Sequence, residues 1–440
     1  MPRHHHPKHT SHSSEPGQKS TDTSSNESQF PDSIRLDPSL VHLDGRTLEG
    51  GGQLVRVALT LSALTNIPIH IHNIRGNRSS RSSRKGGGLK SSHLAALEFL
   101  AGATAAKTLG ASVGSTEVVF EPERDKQLLR DGAKAEVGEG KVDRAYEIRL
   151  DKPGSVWLIL QAILPYVIFA ASEHVPMQLI ITGGTNVPKS MSGEYVKQVM
   201  CPMFEKIGLP SIDVDIKRRG WTHGRAIQIG EVAIKVHALE RDAKLRPFEL
   251  KKRGAISRIA ITALAGTEAM RSALVKKATD HVREKYPQLE PPEIVVNEDS
   301  GDPKRLYLLL VAHTSNGCML GRDWLYDEKI KGALNESQTE LIAEKMVQRV
   351  VGELAAEIAH GGCVDEYMRD QLVVFQALTN GPTHVDGGAG TGDGSLHART
   401  CRWVAEQILP DQASFDAEGG CRGVGFAAGE IFEERKGVEK

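Results

Sequence analysis

The chain has 440 residues, a formal net charge of −1, and 39% hydrophobic and 25% charged residues. That is long enough for more than one domain, or for one large domain with an insertion, around a packed and water-soluble core. Its charge balance excludes nucleic-acid binding through global charge, so any such surface must be a local patch.

Residues 1–34 are rich in His, Ser, Thr and Pro and lack the apolar stretch of a secretory signal, so they are expected to form a disordered tail that includes His4, His5 and His6. Val41 to Leu43 predicts a short strand that enters the run Gly50-Gly51-Gly52. Leu54, Val55, Ala58, Leu59, Leu61 and Leu64 then recur at helical spacing. Ile67 to Ile74 predicts a strand. A basic, glycine-rich loop follows from Arg75 to Lys90, then a helix over His93 to Leu109. Ser115 to Phe120 and Tyr146 to Leu150 read as strands joined by a polar hairpin or loop. Val156 to Ala171 is the longest apolar run. It contains Gln161 and Pro165 and is shorter than the roughly 20 residues of a membrane span, so a buried helix is expected. Met177 to Thr182 predicts a strand running into Gly183-Gly184, and Glu194 to Ile207 a helix. This rhythm, with Gly50–Gly52 and Gly183-Gly184 at related places in it, suggests repeated α/β units rather than a doubly wound sheet.

Leu245 to His313 reads as a compact unit of its own: a strand over Ile256 to Ala265, a charged helix over Ala269 to Lys285 broken by a proline-rich stretch, then two strands. The expected organisation is a tail over 1–34, a main domain over 35–244 and 314–430, and an inserted domain over 245–313. Asn335 to His360 predicts a long helix with an Asn cap, ended by Gly361-Gly362. A glycine-rich loop over Gly381 to Gly394 precedes helical spacing from Leu396 to Ile408. The cysteines, Cys201, Cys318, Cys363, Cys401 and Cys421, form no CxxC pair, which argues for a reducing compartment and against a disulfide framework or a structural zinc site.

Four constellations carry possible chemistry. Glu49-Gly50-Gly51-Gly52-Gln53 before a helix offers backbone N–H groups to a phosphate, with Glu49 as an oxygen ligand for a divalent ion and Arg56 further along the helix. The same glycines also suit a plain turn, and the run is no Walker A motif because no Lys-Ser/Thr follows. Arg75, Arg78, Arg81, Arg84, Lys85 and Lys90 lie in a loop without acidic residues, which suits a phosphate backbone or a solvated surface. His397, within Gly394 to Thr400, sits at a loop-to-helix junction where a ring nitrogen can meet a phosphorus. Tyr367, Asp370 and Gln371 can recognise a nucleobase, or Asp370 can serve as a local helix cap.

Taken in order, LDGRTLEGGGQLVRVALTLSALT, NIRGNR, SSHLAALEFL, GSVWLILQAILP, GGTNVP, DIKRRGW, HTSNGC, GGCVDEYMRDQLVVFQAL and GSLHARTCRWVAEQI resemble the RNA 3′-terminal phosphate cyclase family over about residues 41 to 409. The resemblance implies an α/β (α+β) fold: repeated units of a four-stranded sheet plus two helices, with a smaller inserted α/β domain. It implies a ligase that uses ATP with Mg²⁺ or Mn²⁺ on an RNA bearing a 3′-terminal phosphate. A histidine first takes AMP from ATP, AMP passes to the RNA 3′-phosphate, and the 2′-hydroxyl closes a 2′,3′-cyclic phosphodiester.

Carried residue by residue, the nucleophile falls on His397 and the metal carboxylate on Glu49, with Gln53 and Arg56 beside it. The adenylate-contacting group falls on Tyr367, Asp370 and Gln371, with Gln161 and Pro188 as further pocket residues, and the RNA-facing arginines on Arg75 and Arg78. The family suggests a nuclear location, with the cytoplasm as the alternative, and no membrane. The sequence departs from the family in SSRSSRKGGG after Arg78, in THGRAIQIGEV after Trp221, in HVDGGAGTGDG before His397, and in the tail. One branch of the family lacks the histidine and serves as a non-catalytic factor in rRNA processing and ribosome assembly. The presence of His397, Glu49 and the Tyr367, Asp370, Gln371 group favours the enzyme. An enolpyruvyl-type transferase, built from similar units, is disfavoured by the histidine motif.

Overall fold

The computed structural model describes residues 31, 34, 36–77, 87–123, 145–224, 226–389, 394–409 and 412–430. The expected tail, Arg78, Arg81, Arg84, Lys85 and the connection over 124–144 therefore lie outside the described residues, Pro31 and Ile34 of the tail excepted. One compact body starts at Pro38.

Its first unit is β1 (Val41–Asp44), α1 (Gly52–Thr65), β2 (Ile69–His72), α2 (Ser91–Thr104), β3 (Lys107–Leu109) and β4 (Val118–Glu121). Its second is β5 (Ala145–Arg149), α3 (Val156–Ala170), β6 (Met177–Gly183), a helix in three pieces (Gly193–Tyr195, a π-turn at Val196–Met200, and Cys201–Lys206; together α4), β7 (Ile212–Arg218) and β8 (Gly230–Val236). Both sheets have the order first, second, fourth, third, with the first pair parallel and the rest antiparallel.

A third unit repeats this wiring, interrupted after its first strand. It consists of β9 (Glu249–Leu250), α7 (Glu366–Leu378), β14 (Pro382–Val385), α8 (Leu396–Ile408), β15 (Ser414–Phe415) and β16 (Gly420–Arg422). Its order is again first, second, fourth, third, and His384 and Val385 run parallel beside Glu249 and Leu250. The interruption is β10 (Ile256–Ala265), α5 (Glu268–Lys285), β11 (Glu293–Glu298), β12 (Leu306–Thr314), β13 (Met319–Leu325) and α6 (Glu336–His360). Its sheet is wired differently, in the order β11-β10-β12-β13.

Four four-stranded sheets agree with the expected fold class. Boundaries drawn at 245 and 313 cut across these sheets. β9 belongs to the third unit, while β13 pairs with β12 and α6 packs on both. Gly183-Gly184 follows the second strand of its unit, whereas Gly50–Gly52 follow the first, so the two runs are not equivalent. The helix expected to reach Leu109 stops at Thr104, because Ala105 turns left-handed (φ 50°) and β3 begins.

The inserted sheet is apolar on both faces. Ile259, Ile261, Leu308 and Leu310 pack with α5 and α6, while Ala260, Leu264, Leu309 and Val311 join the core of the three repeated units. At the centre of that core lies α1, buried from Gln53 to Thr65 and packed on α2, α3 and α8. A helix buried on all sides carries polar groups only where partners meet them. Gln53, Arg56 and Thr60 are its buried polar side chains nearest the amino end. α3, with Gln161 and Pro165, is the buried helix expected, and among the described residues no helix is long and apolar enough to cross a membrane.

Candidate active site

The carboxyl end of β1 leads through Gly50 (φ 57°) into α1, and α8 lies against this turn. The Glu49 amide donates to Thr400 Oγ1 at 3.2 Å, and Gln53 Nε2 donates to Cys401 Sγ at 2.9 Å. These two bonds fix the register of α8 on the turn. Ser395 caps α8 by accepting the Ala398 amide at 3.2 Å, so the chain enters the helix two residues before His397. Nδ1 of His397 lies 3.9 Å from Oε1 of Glu49, with the histidine side chain 49% exposed and the glutamate side chain 5% exposed. The separation exceeds a hydrogen bond. It is within reach of an ion pair once the ring is protonated.

Arg56 is buried one turn further along α1. Its Nε donates to Gln161 Oε1 at 2.7 Å and its Nη2 donates to Gln53 Oε1. Pro165 lacks the amide that would close the helical bond to the Gln161 carbonyl, and it lines the same small cleft. Gln53, Arg56, Gln161, Asp370 and Gln371 share this cleft with an apolar wall of Met200, Phe204, Val374 and Phe375. Gln371 donates to Asp370 Oδ1 at 2.7 Å. Burial pushes the Asp370 carboxyl up to about 7, against the lowering effect of that bond and of the Arg56 charge. Burial lowers Arg56 from its usual value, while Asp370 and Glu49 oppose the change.

The charges that act on His93, beside Gly52, are all cationic. His93, 4% exposed, accepts the Lys90 amide at Nδ1 (3.1 Å), which assigns its proton to Nε2. A β-carbon on Gly52 would stand 2.5 Å from that Nε2 and 2.9 Å from Arg56 Nη1, so the missing side chain makes room for two donors. Burial, then the charges of Arg56, Arg75 and Lys90, hold His93 well below the usual imidazole range. Arg75 takes a left-handed backbone (φ 56°) and donates to the Gly88 carbonyl at 3.2 Å. Arg56, Arg75, Lys90 and a histidine donor near one helix start are costly together, and an anion relieves the cost.

The remaining expected residues divide. Tyr367 faces away from the Asp370 cleft and borders a second one of about 610 Å³, lined also by Arg322, Glu357, His360, Arg369 and Ser395. The Arg322 guanidinium lies 4.6 Å from the Tyr367 ring centroid and is held by Glu357 and Glu366. Pro188 is exposed in the turn after Val187 and is not among the lining of either cleft. Asp370 is not a helix cap, because α7 starts at Glu366 and Asp365 caps it. The hairpin after Trp221 is held by the inserted sheet, through Arg305 donating to the carbonyls of His223 and Ala226.

Sequence reasoning missed His93, Thr400, Cys401 and Asp365. Of these only His93 left a trace, as a histidine in the first turn of a helix with a largely apolar middle. Among the described residues no three His, Cys, Asp or Glu side chains converge as a metal cage. A single carboxylate beside a glycine turn fits Mg²⁺ or Mn²⁺, which keep water and phosphate oxygens as further ligands. Glu49 is the residue that would hold such an ion.

A family model described as RNA 3′-terminal phosphate cyclase matches residues 47–415. The chain is 30% identical over 381 residues to the RNA 3′-terminal phosphate cyclase of Methanopyrus kandleri, covering 84% of this chain and 94% of that protein. It is 29% identical over 390 residues to the protein of the same name from Ignicoccus hospitalis, covering 84% and 93%. It is 27% identical over 364 residues to a probable RNA 3′-terminal phosphate cyclase of Dictyostelium discoideum, covering 81% and 74%.

Proposed function

The chain belongs to the RNA 3′-terminal phosphate cyclase family, and from this premise we propose that it converts an RNA 3′-terminal phosphate to a 2′,3′-cyclic phosphodiester at the expense of ATP, with His397 as the nucleophile. The observation that carries the reading is the approach of His397 Nδ1 to Glu49 at the glycine turn, beside the cationic group of Arg56, Arg75 and Lys90.

With Nδ1 turned toward the carboxylate, Nε2 is the nitrogen that attacks. It displaces pyrophosphate from the α-phosphorus of ATP and forms a phosphoramidate to AMP. An oxygen of the RNA 3′-phosphate then takes the AMP and returns the imidazole. Last, the neighbouring 2′-hydroxyl loses its proton and attacks the 3′-phosphorus, and AMP leaves. Glu49 orients the ring and favours the tautomer with the proton on Nδ1. Arg56 and the His93 Nε2–H stand where triphosphate charge accumulates, and Arg75 extends that positive region toward the RNA end. A divalent ion at Glu49 would offset charge on the leaving pyrophosphate. Gln161, Asp370 and Gln371 supply polar contacts to the adenylate, and Tyr367 and Pro188 are assigned to the base from the family alone. Ring closure is intramolecular, so orientation supplies much of its rate.

Incubation with α-labelled ATP and Mg²⁺ should give a protein adduct that is stable to base and labile to acid, absent in His397→Ala. A 3′-phosphorylated oligonucleotide should end as the cyclic phosphate, read by mass. An adduct that persists in His397→Ala removes this nucleophile. No adduct and no turnover, with tight binding to precursor rRNA, returns the chain to the non-catalytic reading.

A further inference from the structure

The segment that delivers His397 leaves β14 through a run of glycines, and two of these rest on one side chain. A β-carbon on Gly387 would stand 2.5 Å from Cζ and Nη1 of Arg369, and one on Gly394 would stand 3.0 Å from Cζ and Nε. Neither position has room for a side chain while the guanidinium is there. Arg369 is 6% exposed and borders the larger cleft beside Tyr367 and Ser395. It lies inside the Tyr367–Gln371 motif, yet the mechanism above gives it no role.

We propose that Arg369 is a positioning residue for His397, a flat cationic spacer packed against Gly387 and Gly394 that sets the start of α8. This inference rests on the reading of His397 as the nucleophile.

Several contacts complete the device. On the near side, the Ala389 amide donates to the His360 carbonyl at 2.7 Å, the Gly388 amide to Asp386 Oδ1 at 2.8 Å, and the Cys363 amide to the Asp386 carbonyl at 2.8 Å. The loop entrance is thereby pinned to the exit of the inserted unit. On the far side, Gly394 (φ 83°) touches Arg369, and the next residue, Ser395, caps α8. A guanidinium suits the task because it is planar, always charged, and packs flat against two backbones, which an ammonium does not. Glu49 and Gln53 already hold the next turn of α8 through Thr400 and Cys401. Arg369 supplies the constraint on the loop side of the nucleophile.

The test uses the full chain as wild type, Arg369→Met and Gly387→Ala. Gly387 is outside the left-handed region, so alanine there suffers mainly from the guanidinium. In single turnovers with α-labelled ATP, both variants should form the His397 adduct about 10- to 100-fold more slowly, as expected for a displaced nucleophile. The ATP concentration for half-maximal rate should be unchanged. A wild-type rate in either folded variant, or a slower rate that arises wholly from weaker ATP binding, overturns the proposal. If Arg369→Met does not fold, Arg369→Lys takes its place, since it keeps the charge and loses the flat fork. Carbethoxylation of His397 by diethyl pyrocarbonate, mapped by peptide mass, is the readout independent of catalysis. It should be faster in the Arg369 variant, where Gly394 and the start of α8 lose the side chain they rest on. An unchanged modification rate sinks the positioning role even if the wild type forms no adduct, whereas a missing wild-type adduct sinks only the nucleophile.

Discussion

Tyr195 donates its phenol hydrogen to the Asp365 carboxylate at 2.6 Å, tying the second unit to the helix that carries Tyr367, Asp370 and Gln371. The same carboxylate accepts the Gly321 amide of the inserted sheet at 2.7 Å and the Met368 amide of its own helix at 2.8 Å. One fully buried side chain therefore joins three units and caps α7. Asp365→Ala would leave a buried hydroxyl and two buried amides without this acceptor, at an expected cost of about 2–4 kcal/mol in urea denaturation. Asp365→Asn keeps an acceptor and should lose less. Burial pushes this carboxyl from 3.8 up to about 6, against its hydrogen bonds. The native state then holds a proton that the unfolded chain has lost, so this group's contribution falls as pH rises from 3.8 to about 6 and is level above. The stability of Asp365→Asn relative to wild type should rise across that window, and a flat difference would contradict the assignment.

Asp370 gives a prediction of the same sign at the site itself. Its carboxyl is raised from 3.8 to about 7, with burial the largest cause. Ionisation in the folded state is therefore costly, and the cost grows as pH rises through that interval. Asp370→Asn should unfold at a higher temperature than wild type at pH 8 and lose this advantage as the pH is lowered toward 4. It should also bind nucleotide more weakly, because Arg56 loses the largest of the charges that oppose its lowering and the cleft loses its carboxylate, although Gln371 keeps an acceptor. Stability gained as function is lost marks a group kept for chemistry. Matching melting curves at pH 8 would remove the strained carboxylate from the picture.

Gly51 tests the metal carboxylate. Its backbone, at φ −123°, admits alanine, yet a β-carbon there would collide with the Glu49 carboxylate. Gly51→Ala should thus fold and displace Glu49 from His397. The expected signature is a higher Mg²⁺ concentration for half-maximal adduct formation, with the fold intact by circular dichroism. A Mg²⁺ titration identical to wild type would mean that Glu49 does not set metal affinity.

These glycines illustrate what sequence shows and what it conceals. Gly50–Gly52 were legible as a phosphate-suited turn because glycine before a helix exposes amides. That Gly51 and Gly52 also yield space to Glu49, His93 and Arg56 depends on three-dimensional packing and leaves no local pattern. α6 was legible to the residue, since Asn335 at its cap and Gly361 after its end are local signals. The third unit was not, because β9 has two residues and its partner β14 begins at Pro382, beyond the whole inserted sheet. Asp365 rather than Asp370 is the cap of α7, and helical spacing could not choose between them. The meeting of Glu49 with His397 came from family resemblance, since contacts between residues so distant in sequence have no periodicity to announce them.

Arg75 is the expected RNA contact within the described residues, and its surroundings make the prediction quantitative. It adds like charge to Arg56 and His93, lowering both, and its own side chain is partly buried beside them. Arg75→Ala should raise the titration point of His93 by removing one cation, observable in the ring proton shifts by NMR. For an oligonucleotide with a 3′-phosphate it should weaken binding and reduce the slope of log affinity against log salt by about one. For an oligonucleotide with a 3′-hydroxyl the loss should be smaller, because the terminal phosphate is the anion closest to the cationic group. Equal losses on both ends would make Arg75 a general backbone contact. An unchanged salt slope would remove it from the RNA interface and leave it as a structural neighbour of Gly88.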